Sequence, residues 1–91
     1  MYSANTIVNN PSGLHARPAT IFVDTAKEFD SKIFLKNITK DIGPKNAKSI
    51  IMLLTLGITS GTEIEISAEG SDEQEAVAAL INLVESGLGE S

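Results

Sequence analysis

The chain has 91 residues, of which 42% are apolar, and a formal net charge of −5. This length predicts one domain over residues 1–91. Only seven residues are lysine or arginine and they form no basic run, which argues against binding to nucleic acid or to a membrane surface. With no cysteine and one histidine, we expect no disulfide, no metal site and no cofactor. Residues 1–12 lack a continuous apolar core, so we expect no signal peptide and a cytoplasmic protein.

The first predicted elements are a strand over residues 5–8 and a helix over residues 16–29. Apolar residues recur in the helix at intervals of three and four, which is typical of one buried helical face. They are Ala19, Phe22, Val23, Ala26 and Phe29. The opposite face of the helix is polar.

The middle of the chain predicts two strands and a short helix. Residues 32–38 form the first strand, and a short second strand lies around Asp41 and Ile42. The stretch from 46 to 56 is ambiguous, but Asn46 as a cap and Gly57 as a stop favour a short helix.

The last two predicted elements are a strand over residues 62–68 and an amphipathic helix. The strand alternates apolar and polar residues, which is typical of an antiparallel sheet covered on one side. Ser71 and Gln74 have the spacing of a capping box, and Gly87 is placed to end the helix. The order β-α-β-β-α-β-α therefore predicts an α+β fold with three helices on one face of a four-stranded antiparallel sheet.

The single histidine, His15, stands at the predicted start of the first helix. Gly13 allows a tight bend before it, and Pro18 is tolerated only in a first helical turn. The free backbone N–H groups of Ala16 and Arg17 would then point outward beside the imidazole, where the helix dipole favours an anion. The Arg17 guanidinium suits phosphate oxygens. The residues alone leave two interpretations open, a phosphate site with a nucleophilic ring nitrogen or a capping or surface histidine.

The segment Gly13-Leu14-His15-Ala16-Arg17-Pro18-Ala19 resembles the phosphorylation motif of HPr, the phosphocarrier of the bacterial phosphoenolpyruvate-dependent sugar phosphotransferase system. The resemblance continues through residues 46–50, 56–57 and the closing helix, and implies an HPr-like open-faced β-sandwich. It implies that His15 accepts phosphate on Nδ1 from enzyme I and passes it to the A components of enzyme II. Arg17 would steady the phosphate, and the protein would be a phosphoryl carrier rather than an enzyme.

Residues 46–49 resemble the segment of Gram-positive-type HPr proteins that an ATP-dependent HPr kinase/phosphorylase modifies on serine. The matching residue is Ser49. The resemblance implies that the seryl-phosphorylated form slows transfer through the histidine and acts as corepressor for a catabolite-control transcription regulator. The alternative is that Ser49 is an ordinary helix-start residue.

The apolar run from Ile50 to Leu54 is too continuous for a helix to bury completely against a sheet. Its exposed members would form a docking surface for partners. The resemblance points to Ile50, Ile51 and Leu54, together with Thr20 on the first helix. The alternative is a loose register that buries nearly all of the run.

Three departures from the HPr pattern bear on partner preference. Met52 replaces a usual glycine, Asp24 is acidic on a helix face that is often basic, and the loop containing Gly43-Pro44 is longer. Other functions compatible with the scaffold are a regulatory protein-binding paralogue, a carrier of a nitrogen-linked phosphotransferase branch, and a small hydrolase that uses His15 with Ser12. We expect a monomer.

Overall fold

Seven elements follow one another in residues 1–90, the part of the chain that the computed structural model describes. Their order is β-α-β-β-α-β-α, as the sequence predicts. The strands are β1 (Tyr2–Ile7), β2 (Lys32–Asn37), β3 (Ile42–Asn46) and β4 (Glu63–Glu69). The helices are α1 (Ala16–Ala26), α2 (Ile50–Leu54) and α3 (Glu73–Glu85).

The sheet has the strand order β1-β4-β2-β3, and every neighbouring pair is antiparallel. Ile66 of β4 lies between Ala4 of β1 and Leu35 of β2, so the alternating apolar residues of the central strands share one face. Ile64 and Ile66 are fully buried on that face. The fold class predicted from the sequence, an α+β open-faced sandwich, is confirmed.

The helices cover the apolar face of the sheet and pack against one another. α3 contacts β1, β2 and β4, α2 contacts β3, and α1 packs on α2 and α3. Within residues 1–90, the fully buried core is built from aliphatic side chains and one aromatic ring, that of Phe22. Its largest fully buried members are Phe22, Ile33, Leu35, Leu53, Leu56, Ile64, Ile66, Leu80 and Leu88.

Two helix boundaries differ from the sequence prediction. α1 ends at Ala26 with Lys27 as its C-cap, and Phe29 packs on the core from the following turn. α2 begins after Ser49 rather than Asn46. Asn46 instead ends β3, and its side-chain oxygen accepts a hydrogen bond from the Lys48 N–H at 2.9 Å.

The predicted capping box of α3 is wrong. The N-cap is Asp72, which makes no capping bond. Its carboxylate instead accepts hydrogen bonds from the Ser31 hydroxyl and from the N–H groups of Asp30 and Ser31, which lowers the pKa of Asp72. The spacing along the chain predicts Ser71 as the cap, but the cap is Asp72, and its side chain bonds a loop that is distant in sequence.

The predicted end of α3 is confirmed. Gly87 has φ +94°, and its N–H donates to the Val84 carbonyl at 3.0 Å. The Leu88 N–H donates to the Leu83 carbonyl at 3.0 Å, which completes a Schellman motif. This turn sends the chain back toward the start of α1, with Leu88 fully buried.

Within residues 1–90, none of the helices is both long enough and apolar enough to cross a membrane. The same residues contain no cluster of three or more histidine, aspartate or glutamate side chains that could hold a metal ion.

Candidate functional site

A tight turn over residues 10–13 leads into α1. The Gly13 N–H donates to the Asn10 carbonyl at 3.2 Å, and Gly13 has φ +63°. A β-carbon at Gly13 would lie 2.6 Å from the Ile58 carbonyl oxygen, so glycine is required both by the backbone conformation and by space. Leu14 follows with its side chain buried and its N–H bonded to the same Ile58 carbonyl. The turn is therefore fixed to the segment that follows α2.

His15 is the N-cap residue of α1. Its backbone is extended, with φ −82° and ψ −171°, and its carbonyl accepts the first helical hydrogen bond from Ala19 at 2.8 Å. The imidazole makes no capping bond, and the residue is exposed. A cap position normally uses its side chain to bond an N–H of the first turn. At His15 the ring is left available for other chemistry.

The first turn of α1 presents two backbone donors beside this ring. The N–H groups of Ala16 and Arg17 belong to the orphan donors of a helix start and take no partner among residues 1–90. Pro18 has no N–H, and its buried ring anchors the turn on the core. Ala16 and Arg17 are exposed, so an anion bound at the imidazole would meet backbone donors, the helix dipole and a guanidinium.

Thr20, predicted to contact partners, lies one turn further along the exposed side of α1. Its hydroxyl donates to the Ala16 carbonyl at 2.9 Å. The residue as a whole is exposed.

Ser49 is the N-cap residue of α2, and it is half-buried. Its hydroxyl oxygen accepts a hydrogen bond from the Met52 N–H at 3.3 Å. Unlike His15, this residue therefore uses its side chain to hold its helix.

The apolar run of α2 is exposed in all but one residue. Leu53 is fully buried, whereas Ile51 is 74% exposed. The alternative in which nearly the whole run is buried is therefore wrong. The other exposed members are Ile50, Met52 and Leu54. We call Ile50, Ile51, Met52 and Leu54 the α2 apolar surface.

Glu90 belongs to the surroundings of the His15 turn, although no local sequence pattern singles it out. Its carboxylate accepts hydrogen bonds from Asn10 Nδ2 at 2.8 Å and from the Ser12 hydroxyl at 2.8 and 2.7 Å. The Asn10 bond, the Ser12 bonds and the nearby charge of Arg17 lower the pKa of Glu90. Asn10 is also buried near this turn. The sequence does not predict its role, because a lone asparagine before a turn is typical of an ordinary loop.

The hydrolase interpretation gains no support from this geometry. The Ser12 hydroxyl donates to Glu90 rather than to His15, so the histidine does not prepare it as a nucleophile. A groove of about 570 Å³ lies between β1 and the end of α3, and neither His15 nor Ser12 lines it. Its lining includes Ile7, Glu63 and Glu85.

Comparisons with known proteins show which family the chain resembles over most of its length. Residues 2–86 match the family model described as the PTS HPr component phosphorylation site. The chain is 38% identical over 88 residues to the multiphosphoryl transfer protein of Salmonella typhimurium, a match that covers 97% of this chain but only 23% of that protein.

Solved structures show the same fold. HPr-C-His from Thermoanaerobacter tengcongensis has a TM-score of 0.89 and 44% identity, covering 100% of this chain and 99% of the other. Crh, the catabolite repression protein of Bacillus subtilis, was crystallised as a domain-swapped dimer and has a TM-score of 0.73 and 42% identity, covering 94% and 95% of the two chains.

Proposed function

Because this chain belongs to the HPr family of the phosphotransferase system, we propose that it is a phosphocarrier that takes a phosphoryl group from enzyme I on Nδ1 of His15. It then passes the group to the A components of enzyme II. It is a carrier, not an enzyme with its own turnover, and it needs no cofactor. The observation that carries this proposal is an exposed N-cap histidine with an unbonded ring, beside two backbone donors and Arg17.

The transfer exchanges one P–N bond for another. The lone pair of the unprotonated Nδ1 attacks the phosphorus of the phosphohistidine on enzyme I, and the donor P–N bond breaks as the donor ring takes its electron pair. The donor ring leaves as neutral imidazole because its other nitrogen carries a proton, and His15 releases its Nε2 proton to solvent. The N–H groups of Ala16 and Arg17 and the Arg17 guanidinium stabilise the charge on the three phosphoryl oxygens. Transfer onward is the same step with His15 as the leaving group.

The test is the intact mass after incubation with phosphoenolpyruvate and enzyme I. We expect one added phosphoryl group that is lost in acid and that does not appear on His15→Ala. The control is a known carrier charged by the same enzyme I. If the control is charged and this chain is not, the carrier proposal is wrong.

The α2 apolar surface, with Thr20, is proposed to dock enzyme I and the A components. α1 packs on α2, so this surface and the His15 turn can face one partner together. Ile51→Ala is expected to raise the KM for transfer from phospho-enzyme I about fivefold without changing the fold, because its 74% exposed side chain contributes little to the core. Ile7→Ala is the matched control, since Ile7 is 56% exposed at the end of β1. Equal effects of the two substitutions would contradict the docking proposal.

Ser49 is proposed as a regulatory phosphorylation site for an HPr kinase/phosphorylase, linked to a catabolite-control transcription regulator. A dianionic phosphate there would place charge at the edge of the α2 apolar surface and repel acidic partner surfaces. With ATP and the kinase we expect one acid-stable phosphoryl group on the wild type and none on Ser49→Ala. The form phosphorylated on Ser49 should take up the phosphoryl group on His15 more slowly. An unchanged rate of uptake would contradict the regulatory role.

The similarity to Crh keeps a regulatory protein-binding function as the second candidate. The mass experiment separates the two, because a protein that acts only through binding would gain no phosphoryl group on His15. A nitrogen-linked carrier would be charged by the enzyme I of that branch instead. We propose a cytoplasmic monomer, and sedimentation analysis at several concentrations would reveal a dimer like that of Crh.

A further inference from the structure

We infer that Glu90 is a positioning residue for phosphoryl transfer, which acts by holding the turn that carries His15. The inference rests on the proposed carrier function. Glu90 lies just after α3, 75 positions beyond the histidine, and the hydrogen bonds of its carboxylate go to Asn10 and Ser12.

The carboxylate binds three donors of the turn. Oε1 accepts from Asn10 Nδ2 at 2.8 Å, from the Ser12 N–H at 3.3 Å and from the Ser12 hydroxyl at 2.8 Å. Oε2 accepts from the Ser12 hydroxyl at 2.7 Å. Bonds to an ionised acceptor are stronger than neutral ones, so this contact restrains the backbone at residue 12 directly.

Asn10 carries the restraint to Gly13. Its amide nitrogen donates to the Gly13 carbonyl at 2.7 Å as well as to Glu90. Both partners are acceptors, so the amide must turn its NH₂ group to both, and its oxygen is buried without a partner among residues 1–90. The two bonds to the amide nitrogen therefore fix the orientation of the side chain, although its oxygen is left without a hydrogen bond. Without Glu90, one of these two bonds is lost.

The backbone conformation of the segment after α3 places Glu90 beside the turn. Gly87, Leu88 and Gly89 have φ values of +94°, +53° and +80°. A positive φ is unfavourable for leucine, yet Leu88 is fully buried in the core and anchors the turn. The Glu90 N–H closes the turn on the Gly87 carbonyl at 2.9 Å.

The turn of His15 is thereby held from two sides. Ile58 bonds Leu14 and leaves no space beside Gly13, whereas Glu90 bonds residues 10 and 12. Removing the second contact should let the Ser12–His15 backbone move relative to the N–H groups of α1, and small displacements of a reacting group are costly.

The experiment compares Glu90→Ala, Glu90→Gln and the control Glu85→Ala, each after its unfolding temperature has been measured. Glu85 is a matched control because it too bonds a hydroxyl, that of Thr6, and carries the same charge. With each variant supplied as the acceptor substrate of enzyme I, we expect the kcat of enzyme I to fall about tenfold for Glu90→Ala, while its KM for the acceptor stays within about twofold. Glu90→Gln keeps an acceptor oxygen for Ser12 and should recover kcat to within about threefold of the wild type, and Glu85→Ala should match the wild type.

A wild-type kcat for Glu90→Ala, a change in KM alone, or no recovery in Glu90→Gln would overturn the positioning role. Phosphoramidate provides a second arm that does not need enzyme I: Nδ1 attacks its phosphorus and ammonia leaves. If the wild type takes phosphate from phosphoramidate but not from enzyme I, the proposed function fails and the same three variants still test Glu90. Slower uptake by Glu90→Ala then supports the inference, and equal uptake overturns it.

Discussion

Two residues of this protein occupy the same structural position and use it differently. His15 and Ser49 are both N-caps with extended backbones, at the starts of α1 and α2. Ser49 bonds the Met52 N–H with its side chain, whereas His15 makes no such bond and its turn is held by Gly13 and Glu90. The comparison indicates that the side chain of a cap residue stays free where other residues hold its turn, which the reactive role proposed for His15 requires.

Of the substitutions considered, Gly13→Ala should disturb the turn that carries His15 most severely. A β-carbon would lie 2.6 Å from the Ile58 carbonyl oxygen at a φ of +63°, so we expect a loss of about 2–4 kcal/mol in the free energy of unfolding. Gly57→Ala is the matched control, with the same φ of +63° and only the Lys40 ammonium nearby, at 3.8 Å. It should lose only about 1–2 kcal/mol. Denaturant unfolding measures both, and equal losses would show that the contact with Ile58 is unimportant.

Arg17→Ala should slow phosphoryl uptake from enzyme I about 10- to 100-fold, because the variant lacks the cation beside the transferred oxygens. The stability should change little, since Arg17 is exposed. Lys27→Ala removes the same charge at the opposite end of α1 and should leave uptake unchanged. Stopped-flow or quenched mass measurements give the rates, and a similar slowing in both variants would indicate a general charge effect instead.

Alanine at the two cap positions tests the comparison directly. Ser49→Ala should lower the free energy of unfolding by about 1 kcal/mol, because the Met52 N–H loses its acceptor. His15→Ala should change it by less than about 0.5 kcal/mol, since the imidazole bonds no N–H of the first turn. Thermal or denaturant unfolding decides between them. A larger loss at His15 than at Ser49 would refute the assignment of the structural and reactive roles.

Acid should loosen the His15 turn and leave the start of α2 unaffected. Hydrogen bonds from Asn10 and Ser12 lower the pKa of Glu90, so the folded state binds the proton less readily than the unfolded state. Its stabilising contribution is present above the ordinary pKa of a glutamate and is lost as the pH falls through the lowered pKa. The hydrogen-exchange protection of Gly13 should therefore fall in acid, while that of Met52 stays constant. In Glu90→Gln the protection of Gly13 should no longer depend on pH in this range.

The sequence predicted best those features that depend on neighbours along the chain. The alternation of residues 62–68 gave the buried face of β4, and Gly13 with Pro18 located His15 at the start of α1. Gly87 ended α3 as expected. In each case the backbone conformation of a short segment settles the outcome.

The features that the sequence did not predict depend on contacts across the fold. The N-cap of α3 is Asp72 rather than Ser71, and the Asp72 carboxylate bonds the distant Asp30–Ser31 loop. α2 starts at Ser49 because Asn46 is paired with Phe34 in the sheet. Glu90 reaches the His15 turn only through the Schellman turn and the buried Leu88. The spacing of residues along the chain does not predict contacts between segments that are distant in sequence.

Pro18 has a consequence for the energy of the phosphorylated form. A helix start usually offers several consecutive N–H groups to an anion, but the proline removes one and leaves those of Ala16 and Arg17. A fuller set of donors would bind the phosphoryl group more tightly and make the phosphorylated carrier a thermodynamic sink. With fewer backbone donors, the proposed phosphohistidine keeps a high group-transfer potential, so that delivery to the next protein can proceed as readily as uptake.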